Sequence, residues 1–212
     1  MQRIVKYKGL CLGLLLTFLI TLISVGAEAA DKNEERRLLE DFKTGNHIVL
    51  LRHALAPGTG DPENFMLGDC TTQRNLSQAG RDQAKRIGDR FKQAGISVAD
   101  VYTSEWCRCR ETAELLGLGT PVPLPPLNSF FRNYDRQGPQ TEALHTWLAG
   151  QQLSRPLILV THQVNITAFS AVYPASGEVV LMRRNADGKF EVTGSVRTES
   201  GRCTIANDPN AP

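Results

Sequence analysis

The chain has 212 residues, 41% hydrophobic and 22% charged, with 24 basic and 22 acidic side chains. The small basic surplus lies in the first 29 residues, which hold Arg3, Lys6 and Lys8 against a single acid, Glu28; beyond them 21 residues of each sign remain and the net charge is nil. Charge therefore gives no reason to expect a nucleic-acid or membrane partner.

The basic start is followed by an apolar run from Leu10 to Val25 and by small residues Ala27, Ala29 and Ala30. That order predicts a signal peptide over residues 1–29, with Ala27-Glu28-Ala29 as the cleavage site. The apolar run is shorter than the ~20 residues that span a bilayer, which favours removal over a permanent anchor. Cys11 lies inside the run, so lipid attachment there is not expected. The predicted mature protein is periplasmic or secreted and has no stable membrane insertion. Its length suits one domain, residues 30–198, and the segment 199–212 reads as a polar tail.

In chain order, Glu34–Lys43 predicts a short helix ended by Gly45, and His47–His53 (HIVLLRH) a strand with two polar groups at its carboxyl end. Residues 54–75 carry Pro57, Gly58, Gly60, Pro62 and Gly68, which is loop chemistry. Ser77 predicts the cap of a helix reaching Gln93, with Ala84, Ile87 and Phe91 on its buried face. A strand over Val98–Thr103, a helix over Arg108–Leu116 stopped by Gly117, and a proline-rich PVPLPPL segment with at most a short strand come next. Thr141–Ala149 predicts a helix, Pro156–Thr161 a buried strand and Asn165–Val172 a helix. Strands Val179–Arg184 and Phe190–Val196 then flank the turn residues Asn185–Gly188. The alternation implies an α/β three-layer sandwich with a mainly parallel mixed sheet flanked by helices, antiparallel only at the late strands.

Four cysteines follow the signal segment: Cys70, Cys107, Cys109 and Cys203. An even count in an oxidising compartment favours disulfides, and the sequence leaves all three full pairings open. Cys107-x-Cys109 lacks the usual zinc spacing and a matched second pair, so no metal site and no cofactor is expected. A thiol redox role for WCRC is disfavoured for want of a C-x-x-C.

Ligands of open α/β sheets bind beyond the carboxyl ends of the strands. Arg52 and His53, Thr103 and Ser104, and Thr161 and His162 all stand at such ends, and Arg108 follows Ser104 at the start of a helix. Two guanidiniums and two imidazoles converging on one crevice suit a phosphate, because a guanidinium matches its oxygens bidentately and stays charged. A neutral imidazole is a competent nucleophile once a hydrogen bond fixes its tautomer. A non-catalytic anion-binding site is the alternative.

The same residues carry a resemblance. LLRHALAPG resembles the RHG signature of the histidine phosphatase superfamily, with Ala54 for the glycine. RNLSQAGRDQA, VYTSEWCRCRETAELL and VTHQVNI resemble three further segments of that family, in family order between Ile48 and Phe169. The resemblance implies a phosphoglycerate mutase-like fold and a phosphomonoester hydrolase. His53 would become phosphorylated, Arg52 and Arg108 would hold the phosphate, and His162 would stabilise the transferring group. A small-molecule or envelope phosphoester would be the substrate. A catalytically inactive phosphate-binding relative is the alternative. Arg110 does not fit the family spacing and is expected at the surface; His47 and His145 are expected to be structural. Where family members place a proton-donating acid, this chain has Ser129 and Gln163. Asp61 and Asp135 are the candidates for that role, with Asp69 third. If none serves, good leaving groups such as phosphorylated imidazoles or acyl phosphates are expected.

Overall fold

The computed structural model describes residues 33–197. The predicted signal peptide, the tail and Cys203 lie outside the described residues. From Leu38 onward the described residues form one compact unit, and the described residues 33–37 are helical. Among the described residues no helix is long and apolar enough to cross a membrane.

Helix α1 covers 33–43, and strand β1 is His47–Arg52. Helix α2 (Gln78–Gln93) is capped by Ser77, whose hydroxyl accepts from the Gly80 N–H. Strand β2 (Asp100–Thr103) leads into α3 (Cys107–Leu116), which stops at Gly117 in the left-handed region, φ 61°. The proline-rich stretch forms only the two-residue strand β3 (Val122–Pro123) and a 3-10 turn, Pro125–Leu127. Helix α4 (Gln137–Ala149) begins four residues before the predicted start, because Pro139 falls in a first turn where its missing N–H has no intrahelical partner to lose. Strand β4 (Leu157–Thr161), helix α5 (Gln163–Ser170), and strands β5 (Val179–Arg184) and β6 (Phe190–Val196) complete the order. Helix α5 starts directly after His162, two residues earlier than expected.

The six strands form one mixed sheet in the order β3-β2-β4-β1-β5-β6. The first four are parallel; β5 pairs antiparallel with both β1 and β6. Side chains alternate across a strand, and here the alternation sorts the core into two layers. Val49, Leu51, Ile158 and Val160 face α1 to α3 through Phe42, Ile87, Phe91 and Leu116. Ile48, Leu50, Leu157 and Leu159 face α4 and α5 through Leu144, Leu148 and Ile166. The layering is the predicted three-layer α/β sandwich.

Two glycines let α2 approach its neighbours. A Cβ on Gly80 would stand 2.1 Å from the Leu55 carbonyl oxygen, and one on Gly88 would stand 2.1 Å from that of Leu116. The first contact seats the loop after β1, and the second seats the end of α3.

Register aligns the functional strand ends. Arg52 pairs with Thr161 and Thr103 with Val160. The ladder runs on past the strands through His53 N–H to the Thr161 carbonyl at 2.9 Å and Ser104 N–H to the Val160 carbonyl at 2.9 Å. His53, Ser104 and His162 therefore leave the sheet side by side.

Candidate active site

These strand ends floor a cavity of about 350 Å³ lined by Arg52, His53, Arg108 and His162, together with residues of the loops that follow β1 and precede α4. The sequence-predicted quartet is thus brought together. His53, Arg108 and His162 are each almost fully buried.

Each imidazole has its tautomer fixed. His53 Nδ1 lies 2.8 Å from the Ala54 carbonyl oxygen, which can only accept. The proton is on Nδ1, and Nε2 keeps its lone pair, to which Arg108 Nε donates at 3.2 Å. Around His162, the Ser104 hydroxyl donates to Asn128 Oδ1 and so accepts from His162 Nε2 at 2.9 Å. His162 Nδ1 then faces Arg108 Nη2 at 3.4 Å. The two rings meet edge to face with centroids 5.4 Å apart. Burial, and then the Arg108 charge, push both histidines well below the usual imidazole range, so both are neutral at physiological pH.

The guanidiniums divide their tasks. Arg108 is enclosed by its partners. Arg52 donates through Nη1 to the Pro174 carbonyl at 2.8 Å, and its buried Nε has no hydrogen-bond partner. An orphaned donor on a cavity wall is a place for an anion's oxygen. Burial lowers the Arg52 pKa from its ordinary value. Arg74, unassigned by sequence reasoning, also lines the cavity. It donates to the carbonyls of Gly60, at 2.8 Å, and Ala56, and burial followed by the Arg108 charge brings its pKa down to about 10. Arg132 lines the lip, with backbone φ 65° and its guanidinium 5.6 Å above the Phe131 ring. Nothing in the composition of their loops distinguished these two arginines. The aromatic wall of Phe65 stacked on Trp106, centroids 5.1 Å apart, was likewise not foreseen.

The candidate proton donors separate. Asp135 sits exposed in the 3-10 turn Tyr134–Arg136 and does not line the cavity, which corrects its assignment to the site. The turn carries the carboxylate outward where the sequence suggested only a loop ahead of α4. Asp69 is exposed and caps the 3-10 turn Cys70–Thr72 through Thr71. Asp61 does line the cavity, as an ion. Burial would raise its pKa, but the Arg108 hydrogen bonds and charge, with the Trp106 and Arg74 N–H donors, outweigh that and hold it below the usual carboxylate range. Asp61 thus enters the cavity as a carboxylate accepting from four donors, two of them on Arg108. Ser129 and Gln163 line the cavity as the alignment of motifs implied.

Arg110 is exposed, His47 is buried with Nδ1 on the Gly45 carbonyl at 2.7 Å, and His145 stacks on Phe169 with centroids 4.3 Å apart. The open cysteine question resolves in part: Cys70 and Cys107 form a disulfide, and Cys109 is a buried free thiol, pushed up to about 12 by burial, beside His162. The disulfide removes Cys107 from any metal pair. Among the described residues no group of three His, Cys, Asp or Glu side chains could hold a metal ion.

Residues 48–130 match the family model described as histidine phosphatase superfamily (branch 1). The match takes in β1, α2 and α3 and covers less than half of the chain. Particular relatives are the mitochondrial serine/threonine-protein phosphatases Pgam5 of Drosophila. That of D. willistoni is 33% identical over 88 residues, 39% of this chain and 28% of the relative. That of D. mojavensis is 27% identical over 164 residues, 64% of this chain and 54% of the relative. The chain thus spans between about a quarter and a half of the length of these relatives. Among solved structures, the protein histidine phosphatase SixA complexed with tungstate superposes with a TM-score of 0.51 at 14% identity, covering 72% of this chain and 97% of that one. A mycobacterial glucosyl-3-phosphoglycerate phosphatase gives 0.51 at 15%, covering 74% and 100%. At these identities the likeness is one of fold.

Proposed function

We propose that this chain is a phosphomonoester hydrolase acting through a phosphohistidine at His53. The observation that carries the reading is the fixed tautomer of His53, whose Nε2 lone pair meets the Arg108 fork beside a second neutral histidine. Nε2 attacks phosphorus, the P–O bond to the leaving group breaks, and the phosphoryl group rests on the imidazole. Water then attacks phosphorus, the P–N bond breaks, and inorganic phosphate leaves. Arg52, Arg108 and His162 stabilise the equatorial oxygens in both steps, the form of catalysis on which phosphoryl transfer depends.

Among the described residues the cavity wall carries one carboxylate, Asp61, and it is ionised. General acid assistance is typically worth ~100-fold or more, so the substrates favoured are those with good leaving groups: aryl phosphates, acyl phosphates and phosphorylated imidazoles. The last is the bond class of a protein histidine phosphatase such as SixA, with which the chain shares its fold. The basic start and apolar run of residues 1–25, followed by Ala27-Glu28-Ala29, support a periplasmic or secreted mature protein whose substrate is a small or envelope phosphoester. The missing acid equally favours one other reading, a phosphate-binding protein without turnover.

The purified mature protein is expected to hydrolyse p-nitrophenyl phosphate in the presence of EDTA, to yield an acid-labile phosphoprotein on quenching, and to lose both properties as His53→Asn. Phosphate binding without turnover of aryl, acyl or imidazole phosphates would establish the binding protein instead.

A further inference from the structure

The Arg108 guanidinium uses two edges for two tasks. Its Nε and Nη2 edge faces the reacting nitrogens: Nε donates to His53 Nε2 at 3.2 Å, and Nη2 is 3.4 Å from His162 Nδ1. Its Nη1 and Nη2 edge is taken by Asp61, with Nη1 to Oδ1 at 2.6 Å and Nη2 to Oδ2 at 3.2 Å. The carboxylate is itself oriented by Trp106 Nε1 on Oδ2 at 3.0 Å and the Arg74 N–H on Oδ1 at 3.2 Å.

We propose that Asp61 is a positioning residue: it grips the far edge of Arg108 so that the near edge stays aimed at the phosphoryl group between His53 and His162. The inference rests on the phosphatase reading for the identity of that group. It replaces two other roles for the same side chain, that of proton donor and that of a stand-in anion which substrate must evict. Eviction is unnecessary, because the edge that meets the histidines is not the edge that Asp61 holds.

The chain has built a mount for this carboxylate. The disulfide Cys70–Cys107 ties the loop that carries Asp61 to the residue preceding Arg108. Arg74 ties the same loop down through the carbonyls of Gly60 and Ala56. A long arginine side chain loses much rotamer freedom when held, and a bidentate carboxylate removes that freedom before substrate arrives. Near-attack geometry is sensitive: a displacement of ~1 Å costs about 100-fold in rate.

The test is Asp61→Asn and Asp61→Glu in the mature, oxidised protein, assayed on aryl and alkyl phosphates of graded leaving-group pKa. Inorganic phosphate affinity is measured by calorimetry, and circular dichroism checks the fold. Asp61→Asn sets an amide NH₂ against donors, so kcat is expected to fall by about 100-fold, by the same factor for every leaving group. Phosphate binding is expected to weaken several-fold despite the lost negative charge. Asp61→Glu, which keeps a carboxylate for the fork, is expected to recover part of the rate. A loss that grows with leaving-group pKa and nearly vanishes for aryl phosphates would overturn the proposal in favour of a general acid. Tighter phosphate binding with undiminished kcat would overturn it in favour of a competing anion. If the wild-type protein turns over no phosphoester, the hydrolase reading fails on its own; the phosphate measurement still decides, weaker binding in Asp61→Asn supporting the mount and tighter binding refuting it.

Discussion

Lowering the pH from about 7.5 to about 5.5 should destabilise the fold through His53 and His162 specifically. Both rings are almost fully buried, and burial with the neighbouring Arg108 charge holds their pKa well below the ordinary 6.5. In the unfolded chain they titrate near ~6.5. The unfolded state therefore binds more protons than the folded one below that point. Stability rises with pH, is complete above ~6.5, and is lost as pH falls toward the folded-state values. Over this interval each histidine contributes a loss of at most ~1.4 kcal/mol, and the pair at most about 2.7 kcal/mol, against a total stability of ~5–15 kcal/mol. Asp61 acts in the same direction but only below about pH 4.5, because its folded pKa lies under its unfolded one, so it leaves the interval untouched. Urea unfolding at a series of pH values measures the effect, and His53→Asn or His162→Asn should each remove up to ~1.4 kcal/mol of the pH-dependent part. An unchanged pH dependence in both variants would refute the claim that the two imidazoles are held neutral.

Replacing Cys70 and Cys107 by serine opens a cross-link with a sequence separation of 37. Loop-closure entropy puts the loss at about 4 kcal/mol, or ~8–15 °C in Tm for a domain of this size, readable by calorimetry; a change under ~1 kcal/mol would mean that the loop is held by its other contacts alone. Gly88→Ala gains up to ~1 kcal/mol of helix propensity. It nevertheless drives a methyl into the Leu116 carbonyl, and overpacking against backbone should leave the variant about 2 kcal/mol less stable by denaturant unfolding. A more stable variant would show that α2 and α3 can part without penalty.

The centre of this molecule was legible because its signals are local and repeated. HIVLLR and LILVT are continuous apolar runs of strand length, and both prove to be buried strands at the middle of the sheet. The polar residues that close them could be placed at one rim because parallel strands end together. The boundaries of α4 and α5 were less legible. Pro139 reads as a reason to delay a helix until its position within the first turn is known, and His162 gives no side-chain cap to mark a start. The loops were the least legible. Asp61 and Asp135 each read in sequence as a loop aspartate, and only the fold decides that one meets Arg108 while the other faces solvent. Arg74 and Arg132 enter the cavity for the same kind of reason, through the path of the backbone, on which composition is silent. Pairing of Cys70 with Cys107 depends on that path as well.

The opening turn of α3 holds three consecutive residues with three separate tasks. Cys107 is bonded to the loop, Arg108 reaches into the cavity, and Cys109 lies against His162. Successive residues on a helix point about 100° apart, so a slip of a single position would exchange every one of these attachments at once. The connector Ser104–Trp106 is consequently fixed in length, as a gear is fixed by its teeth. In the stretch between β1 and α2, Ala56, Gly60 and Cys70 are anchored as well, so room for change in length is confined to the largely exposed residues 63–69, away from the cavity floor.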